Sequence, residues 1–354
     1  MELKTDVGLS VSSPTGPGSA RDQVQGMIGG YWVSQICGTT ARLGIADHLR
    51  DGPRTTLELA TITSADLDGL GRLLRAAVTV GLFAEVDGGR FELTPLGEQL
   101  LDGDPSDSLR DRAIALTSPG HWLPYGRLLE AVVSGETQMH EALGMDVWAY
   151  YASHEEERRH FARTMTSFSA EASKAVVGAY DVTRFRRIVD VGGSQGALLT
   201  ALLDAAPLAH GVLFDLPEVI EGGKATLGAG GQADRIEFVG GDFFEHVPSG
   251  GDLYVMKSIL HDWDDERALQ ILANVHRASL PGSSLAVIEC PLPSSPGPSH
   301  VHLANLLMLV QLGGRERTLA EYEDLFAQAG YVLQRTISAA TSTYPWTVLE
   351  AVRR

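Results

Sequence analysis

The sequence predicts an α/β protein in two parts, a winged-helix-like helical part followed by a domain built on a mostly parallel β-sheet. Two observations lead to this expectation. From Gln23 to about Leu101, apolar residues recur with helical spacing, and two short strands close the stretch. After Val182, apolar strands alternate with amphipathic helices, which is the pattern of a parallel sheet covered by helices on both faces.

The elements of the first part follow from its apolar faces and turns. Arg54–Ala60 predicts a helix entry, and Asp66–Val80 predicts a helix with its leucines on one side. Leu82–Val86 and Arg90–Leu93 flank a glycine-containing turn and predict a hairpin. Helix, helix and hairpin is the order of a winged helix. Residues 8–20, rich in Gly, Ser and Pro, predict a flexible tail.

The second part is predicted strand by strand. Residues 110–172 indicate further helices before it. Strands are predicted at Arg187–Val191, Ala209–Phe214, Ile236–Gly240, Leu253–Lys257, Ser284–Glu289 and, antiparallel, Thr347–Val352. Helices are predicted at Ala197–Ala206, Pro217–Gly228, Glu266–Ser279 and Tyr322–Ala329. The predicted boundaries are a tail over 1–20, the winged-helix-like part over 21–108, and a helical linker with the sheet domain over 109–354.

Composition excludes several classes of protein. The 354 residues carry a formal net charge of −17, from 28 Lys and Arg against 45 Asp and Glu, which disfavours binding to nucleic acid or anionic lipid. Two cysteines, Cys37 and Cys290, are too few for a disulfide scaffold, and no Cys/His spacing indicates zinc. No basic segment precedes an apolar stretch near residue 1, and no run reaches the ~18 apolar residues of a membrane span. We therefore expect a cytoplasmic protein.

A glycine-rich turn follows the first strand of the sheet domain. Gly192, Gly193 and Gly196 permit a sharp turn that brings backbone N–H groups close to a ligand at a helix N-terminus. Ser194 breaks the GxGxxG spacing, and no Lys-Ser or Lys-Thr follows to make a Walker loop. By itself such a turn is as often a tight strand–helix connection as a ligand site.

Acidic residues end the next two strands. Asp215 lies where a carboxylate accepts hydrogen bonds from ribose hydroxyls, although it is also placed to cap the following helix. Asp242 follows the third strand, where it is suited to accept from an adenine amino group while Phe243 covers the ring. The alternative for that pair is another cap and a core aromatic. Three strand-end sites in succession favour a nucleotide cofactor.

In chain order, VDVGGSQG, FDLPEVI, GGDFF, KSILHDWDDERALQIL, GGRERT and EYEDLFAQAG resemble the motifs of S-adenosylmethionine-dependent O-methyltransferases. The resemblance is to the caffeic-acid-type group shared by plants and actinobacterial antibiotic pathways, and it covers about residues 25–354. It implies a Rossmann-like methyltransferase domain, a winged-helix-like dimerisation domain and therefore a homodimer. The cofactor it implies is S-adenosyl-L-methionine, without a metal.

The resemblance also assigns cofactor residues. It places Gly192 near the methionine part, Asp215 at the ribose, Asp242 and Phe243 at the adenine, and Lys257 beside the cofactor. Ser194 departs from the family pattern, in which a third glycine is usual. The extra hydroxymethyl group is small, so we expect weaker or unchanged cofactor affinity.

His261 is the candidate general base, because its position in LHDW is that of the family's base. A lone His is otherwise more often a surface or satisfied core residue. Proton transfer from a phenol, with a pKa of about 10, to a free imidazole, with a pKa of about 6.5, is unfavourable by roughly 5 kcal/mol of free energy. The family pattern offers Glu289 and Glu316 as acids that hold the tautomer and stabilise the imidazolium, and the sequence does not rank them.

The remaining expectations concern neighbouring acids and the acceptor. Asp262, Asp264 and Asp265 are expected to cap the following helix. Segments that line the acceptor pocket in the family contain Met165, Phe168, Asn305 and Met308, although Met and Phe at helical spacing are more often plain core. Asn305 stands where many bacterial members carry Asp. The expected acceptor is a phenolic polyketide or similar aromatic metabolite.

Three alternatives remain beside O-methylation. A winged-helix DNA-binding regulator is disfavoured, because residues 31–100 carry six Arg and no Lys against nine Asp and Glu. Some relatives bind the same cofactor yet perform decarboxylation or hydroxylation. Transfer to nitrogen or carbon would be served by the same base.

Overall fold

The structure is a computed structural model that describes residues 19–103, 108–228, 231–341 and 344–354. The predicted tail over 1–20 lies outside these residues, except for Ser19 and Ala20. The described chain separates into two compact units. One contains the residues up to Trp122 together with Tyr151–Thr164, and the other contains Leu123–Tyr150 and Met165–Arg354. The predicted domain boundary at residue 108 stays a prediction.

The first unit contains the predicted helices and hairpin. Thr55 and Glu58 form a capping box at one helix start, and the Asp66 carboxylate accepts from Gly69 N at 2.7 Å at the next. Within the described residues, three antiparallel strands pair in the order β1-β3-β2. The elements are α1 (Ala20–Ile28), α2 (Gly30–Arg42), α3 (Ile45–Leu49), β1 (Arg54–Thr55), α4 (Thr56–Thr63), α5 (Leu67–Thr79), β2 (Phe83–Val86), β3 (Arg90–Leu93) and α6 (Arg110–Thr117).

A run of helices connects the two β-sheets along the chain, as the sequence predicts for residues 110–172. The longest is 25 residues and begins with three glutamates, which favour a helix N-terminus. These helices are α7 (Pro119–Tyr125), α8 (Leu128–Ser134), α9 (Met139–Leu143), α10 (Val147–Ser153) and α11 (Glu155–Ala179). No helix among the described residues combines the length and the apolar character needed to cross a bilayer.

The second unit is built on one sheet of seven strands within the described residues, in the order β6-β5-β4-β7-β8-β10-β9. The first five in that order are parallel to one another, and β10 pairs antiparallel with its two neighbours, β8 and β9. The α/β prediction is confirmed. The strands are β4 (Arg187–Val191), β5 (His210–Asp215), β6 (Ile236–Gly240), β7 (Leu253–Lys257), β8 (Ser284–Glu289), β9 (Tyr331–Ser338) and β10 (Thr347–Arg353).

Strand β9 is a correction, since the sequence analysis assigned no strand there. The apolar residues of YVLQRTIS are its first three and Ile337, and the segment alternates too little to indicate a strand. It forms because β10 supplies a paired edge on one side. Tertiary pairing therefore decides its conformation.

Helices cover both faces of this sheet, so its strands are apolar almost throughout. One core contains Leu199 and Leu213, and the other contains Phe214 and Leu325, so neighbouring residues of β5 face opposite sides. The helices are α12 (Ala197–Ala205), α13 (Pro217–Leu227), α14 (Asp265–Ala278), α15 (His300–Gln311) and α16 (Leu319–Gln328). The parallel strands end at one edge, and that edge carries the predicted site.

Three residues of the turn between β4 and α12 have a left-handed backbone conformation. Gly192, Ser194 and Gly196 have φ values of +72°, +52° and +78°, in the left-handed region that favours glycine. Ser194 alone among these carries a side chain. Its N–H donates to Asp215 Oδ2 at 2.8 Å, which helps to hold the strained residue.

We expect Ser194→Gly to raise the free energy of unfolding by about 0.5–1 kcal/mol, because relief of the left-handed strain exceeds the added entropy of the unfolded chain. Urea unfolding followed by circular dichroism measures the change. Ser194→Ala is the control, since it keeps the strained backbone and should bring no gain. Equal midpoints for the two variants would contradict the argument.

Candidate active site

The glycines of the turn allow close packing. A Cβ at Gly192 would lie 2.5 Å from Ile259 Cδ1, and one at Gly193 would lie 2.5 Å from Leu213 Cδ1 and 2.8 Å from Asp190 Cγ. Such separations are far below ordinary contact distances. A side chain at either position would therefore clash with its neighbours, and glycine keeps the backbone of the turn close to the strand ends.

Asp215 is tied to the glycine turn rather than acting as the helix cap. Its Oδ2 accepts from Ser194 N and its Oδ1 from Leu216 N, both at 2.8 Å, while the N-cap residue of α13 is Leu216. Burial raises the pKa of the Asp215 carboxyl, and the two N–H donors oppose that shift. Each carboxylate oxygen keeps a lone pair for a further donor.

Asp242 and Phe243 follow β6 at the same edge. Asp242 Oδ1 accepts from Phe244 N at 2.8 Å, which fixes the turn. The Phe243 ring stands edge-on to Trp263, with 6.2 Å between centroids, and its Cε1 lies 3.7 Å from a Cβ built on Gly192. Phe243 and the glycine turn are thus brought together, as the sequence predicts.

Lys257 ends β7 beside two residues that the sequence analysis missed. Its Nζ lies 5.5 Å from the ring centroid of Trp346. Burial lowers the pKa of Lys257, and the carboxylate of Asp190 opposes that shift. Asp190 is only 2% exposed and its Oδ2 has no hydrogen-bond partner among the described residues; burial raises its pKa to about 7. The sequence did indicate Asp190 in one respect, because it lies in VDVGG, two residues before the first glycine of the turn.

His261 lies in a one-turn 3₁₀ helix, Leu260–Asp262, that follows β7. Its Nδ1–H donates to Glu316 Oε1 at 2.9 Å, and Nδ1 is 3.6 Å from Glu289 Oε2. On the other side of the ring, Nε2 is 3.3 Å from Asp262 Oδ1. Three carboxyl groups therefore surround one imidazole.

This arrangement favours the charged imidazolium. Burial by itself would lower the pKa of His261, but the carboxylates of Glu289, Asp262 and Glu316 outweigh it and raise the pKa to about 10. Burial raises the pKa of Glu289 to about 7 and that of Asp262 to about 6. The cluster thus holds a proton tightly at neutral pH.

The geometry distinguishes the two glutamates that the sequence left unranked. Glu316 makes the direct hydrogen bond to the ring. Glu289 Oε1 instead accepts from the backbone N–H groups of Ile259 and Leu260, at 3.2 and 3.0 Å, and so holds the turn that carries His261. The Oε2 atoms of both glutamates are buried without a hydrogen-bond partner among the described residues.

His261, Glu289 and Glu316 also have the composition of a metal site, since one ligand atom from each lies within 4.8 Å of the others. The same atoms are engaged with one another, because Nδ1 of His261 donates to Glu316. A metal would have to displace that proton. The sequence prediction of no metal stays a prediction.

Only one of three aspartates expected to cap α14 does so. Asp264 is the N-cap and accepts from Arg267 N at 2.8 Å. Asp262 lies against His261, and Asp265 pairs with Arg315 and Arg317. The expectation was wrong for Asp262 and Asp265, because residues distant in sequence supply their partners.

The four predicted acceptor residues are placed differently. Asn305 Oδ1 accepts from Glu316 N at 2.9 Å, so Asn305 adjoins the His261 cluster, and Met308 is buried on the same helix. The Phe168 ring stands edge-on to Tyr344, with 5.5 Å between centroids. Met165 is 39% exposed. An acceptor role for these four residues stays a prediction.

Two family models match the chain. The one described as "O-methyltransferase domain" matches residues 125–332, and the one described as "O-methyltransferase dimerisation domain" matches residues 26–103.

Curated proteins and solved structures agree with these matches. Phenazine O-methyltransferase PhzM of Lysobacter antibioticus is 39% identical, over 89% of this chain and 92% of its own. The structure of the mitomycin 7-O-methyltransferase MmcR superposes with a TM-score of 0.90 at 34% identity, covering 95% of this chain and 98% of its own. An 8-amino-8-demethylriboflavin N,N-dimethyltransferase of Streptomyces davaonensis is 33% identical, over 84% of this chain and 86% of its own.

Proposed function

This chain belongs to the S-adenosylmethionine-dependent O-methyltransferases, and from that premise we propose that it methylates a phenolic hydroxyl of an aromatic small molecule, with His261 as general base. The family, the Rossmann-like fold and the cofactor expected from the sequence are thereby confirmed. The observation that carries the finer proposal is the hydrogen bond of 2.9 Å between His261 Nδ1 and Glu316, which leaves Nε2 to accept a proton whenever the ring is neutral.

The residues at the strand ends fit the cofactor. The glycine turn keeps its backbone close to the strand ends, and Asp215 retains acceptor capacity for a ribose diol. The Lys257 ammonium and the unpartnered Asp190 Oδ2 match a zwitterionic amino-acid group, which carries one charge of each sign. We propose that Gly192, Asp215, Asp242, Phe243 and Lys257 bind the cofactor.

When bound, the cofactor supplies an electrophilic methyl group on a sulfonium. The chain's own task is to orient the acceptor and take its proton. An imidazole of ordinary pKa would take a phenolic proton at a cost of about 5 kcal/mol, at ~1.4 kcal/mol per pKa unit. Because the carboxylates raise the pKa of His261 to about 10, its neutral form accepts a phenolic proton at almost no cost, but at neutral pH the imidazolium must first lose its own proton. Glu316 holds the ring in place, and the surrounding carboxylates balance the positive charge of the imidazolium that forms.

Relatives support an aromatic acceptor. Their names refer to phenazine, mitomycin and 2,7-dihydroxy-5-methyl-1-naphthoate, and we extend to this chain only the shared feature, a hydroxyl on an aromatic or quinonoid ring system. We propose that Met165, Phe168, Asn305 and Met308 contribute to the acceptor site. Apolar, polarizable side chains suit a flat ring.

N-methylation is the second candidate, because one relative is named an N,N-dimethyltransferase at 33% identity. A neutral amine is already a nucleophile, so His261 would matter less for the transfer itself. Decarboxylation and hydroxylation are disfavoured, because a base held between carboxylates serves deprotonation of a nucleophile.

We also propose a homodimer. The dimerisation match covers residues 26–103, and large apolar side chains are exposed along α1 and α2: Val24, Met27, Ile28, Tyr31 and Trp32. Light scattering should give twice the chain mass. Trp32→Glu, which places a charge on this surface, should shift the population towards monomer, whereas Leu129→Glu, an exposed position elsewhere, should not. A wild-type monomer at all concentrations would refute the dimer.

The pH dependence of methyl transfer follows from the raised pKa of His261. The imidazole accepts a proton only above its pKa, so kcat/KM should rise about tenfold per pH unit from neutral pH and level near pH 10. Glu289→Gln removes one carboxylate, lowers the pKa of His261 and should move the rise to lower pH. Initial rates with labelled cofactor and a panel of phenols measure both profiles. A rise that does not move in the variant would contradict the assignment.

Substitution of the proposed base should affect turnover, whereas substitution of a proposed cofactor residue should affect cofactor affinity. His261→Ala should leave cofactor affinity nearly unchanged and lower single-turnover rates by about 10²–10⁴-fold. Asp215→Ala should weaken cofactor binding about tenfold to a hundredfold in calorimetry, because a charge-assisted hydrogen bond to the diol is lost. A His261→Ala variant as fast as the parent would end the proposal for a phenolic acceptor and favour nitrogen.

A further inference from the structure

Arg317 is completely buried, which is unusual for a permanently charged side chain. Each of its three side-chain nitrogens has a hydrogen-bond partner. Nη1 donates to Leu260 O and Nη2 to Trp263 O, both at 2.7 Å, and Nε donates to Asp265 Oδ1 at 2.9 Å. A buried guanidinium of this kind is stable only because its partners compensate its desolvation. Its two carbonyl partners lie on either side of His261.

The turn that carries His261 cannot hold its own shape. It is a single 3₁₀ turn, and its Trp263 N–H to Leu260 O hydrogen bond is long, at 3.4 Å. Ser258, just before it, has a left-handed φ of +55°, which is costly for a residue with a side chain. External contacts must therefore fix this segment.

In the part of the chain that the structure describes, three contacts can do so. Glu289 accepts from the N–H groups of Ile259 and Leu260 at the start of the turn. Gly314 packs so closely that an added Cβ would overlap His261 O. Arg317 donates hydrogen bonds to the carbonyl groups of Leu260 and Trp263. Glu289 and Arg317 thus hold opposite polar groups of one short segment.

We propose that Arg317 is a positioning residue of the methyl-transfer site, whose guanidinium fork holds the His261 turn so that the imidazole stays on Glu316. Glu316 and Arg317 are adjacent, so one segment contacts both the ring and the backbone of the same turn. The proposal rests on the proposed function only in taking His261 as the base.

Charge alone does not account for this arrangement. A lysine ammonium at position 317 would keep the positive charge but is a single point donor, whereas the planar fork reaches two carbonyls in fixed geometry. Arg317→Lys therefore removes the positioning and retains the charge. Arg315 is the matched control, since it also pairs with Asp265 but is exposed and contacts Glu321 instead of the turn.

The imidazole itself reports the position of the turn. It faces Glu289 from β8, Glu316 from the segment before α16, and Asp262 from its own turn; Lys257 and Tyr322 lie next to these carboxyl groups. Its raised pKa depends on those distances. A turn that moves away from Glu316 lowers the pKa of His261.

The experiment is an NMR titration of ¹⁵N-histidine-labelled protein, with the His261 signals assigned by their loss in His261→Ala. In Arg317→Lys the His261 midpoint should fall by about one pH unit. Calorimetry with S-adenosylhomocysteine should give an affinity within about twofold of the parent, as expected when the cofactor residues stay in place. Arg315→Lys should change neither. No step needs turnover, so failure of the base assignment and failure of this proposal are distinguishable.

Asp265→Asn is the second variant, because it weakens the Nε and Nη2 contacts of Arg317 with Asp265 but leaves the two carbonyl partners in place. It should give a smaller shift in the same direction. The proposal is overturned if the Arg317→Lys protein binds S-adenosylhomocysteine and the NMR titration midpoint of His261 stays at the parental value. Loss of cofactor affinity in both variants also overturns it, because Arg317 would then support the whole domain rather than one turn.

Discussion

The site depends on one electrostatic constraint, an imidazole held among three buried carboxyl groups. Each carboxylate would be unfavourable in that environment without a cation, and the imidazolium would be unfavourable without the carboxylates. Together they form a group whose proton affinity matches that of a phenol. The same constraint explains why the surrounding backbone is so closely fixed. A shift of one carboxylate changes the charge state of the whole cluster.

Parallel strand ends bring the parts of this site together. One edge of the sheet carries the glycine turn after β4, Asp215 at the end of β5, Asp242 after β6, Lys257 at the end of β7 and Glu289 at the end of β8. The residues that we propose for cofactor binding lie on one side of that row, and the proposed base with its glutamates lies on the other. Under this proposal, the order of strands separates methyl-donor binding from proton removal within one sheet.

The sequence predicts what is local and regular. Apolar strands, the glycine turn and the acids at strand ends follow from spacing, and the motif succession identifies His261 and its two glutamates. It does not predict contacts between segments 52 to 57 residues apart, such as Asp265 and Leu260 with Arg317, or His261 with Glu316. Nothing in the sequence around Arg317 indicates that it is buried, because Arg is mostly exposed in proteins. Strand β9 is missed for a different reason, because its own sequence alternates weakly and its conformation depends on pairing with β10.

The placement of β10 has a consequence for biosynthesis. This strand lies between β8 and β9 and pairs Thr347 with Glu289, although α15, α16 and β9 all precede it in the chain. While a ribosome is still making those segments, β8 presents an unpaired and largely apolar edge. Glu289 therefore gains its neighbour on β10 only after those segments have been made. A nascent chain stalled before Thr347 would expose an incomplete, aggregation-prone sheet edge to chaperones.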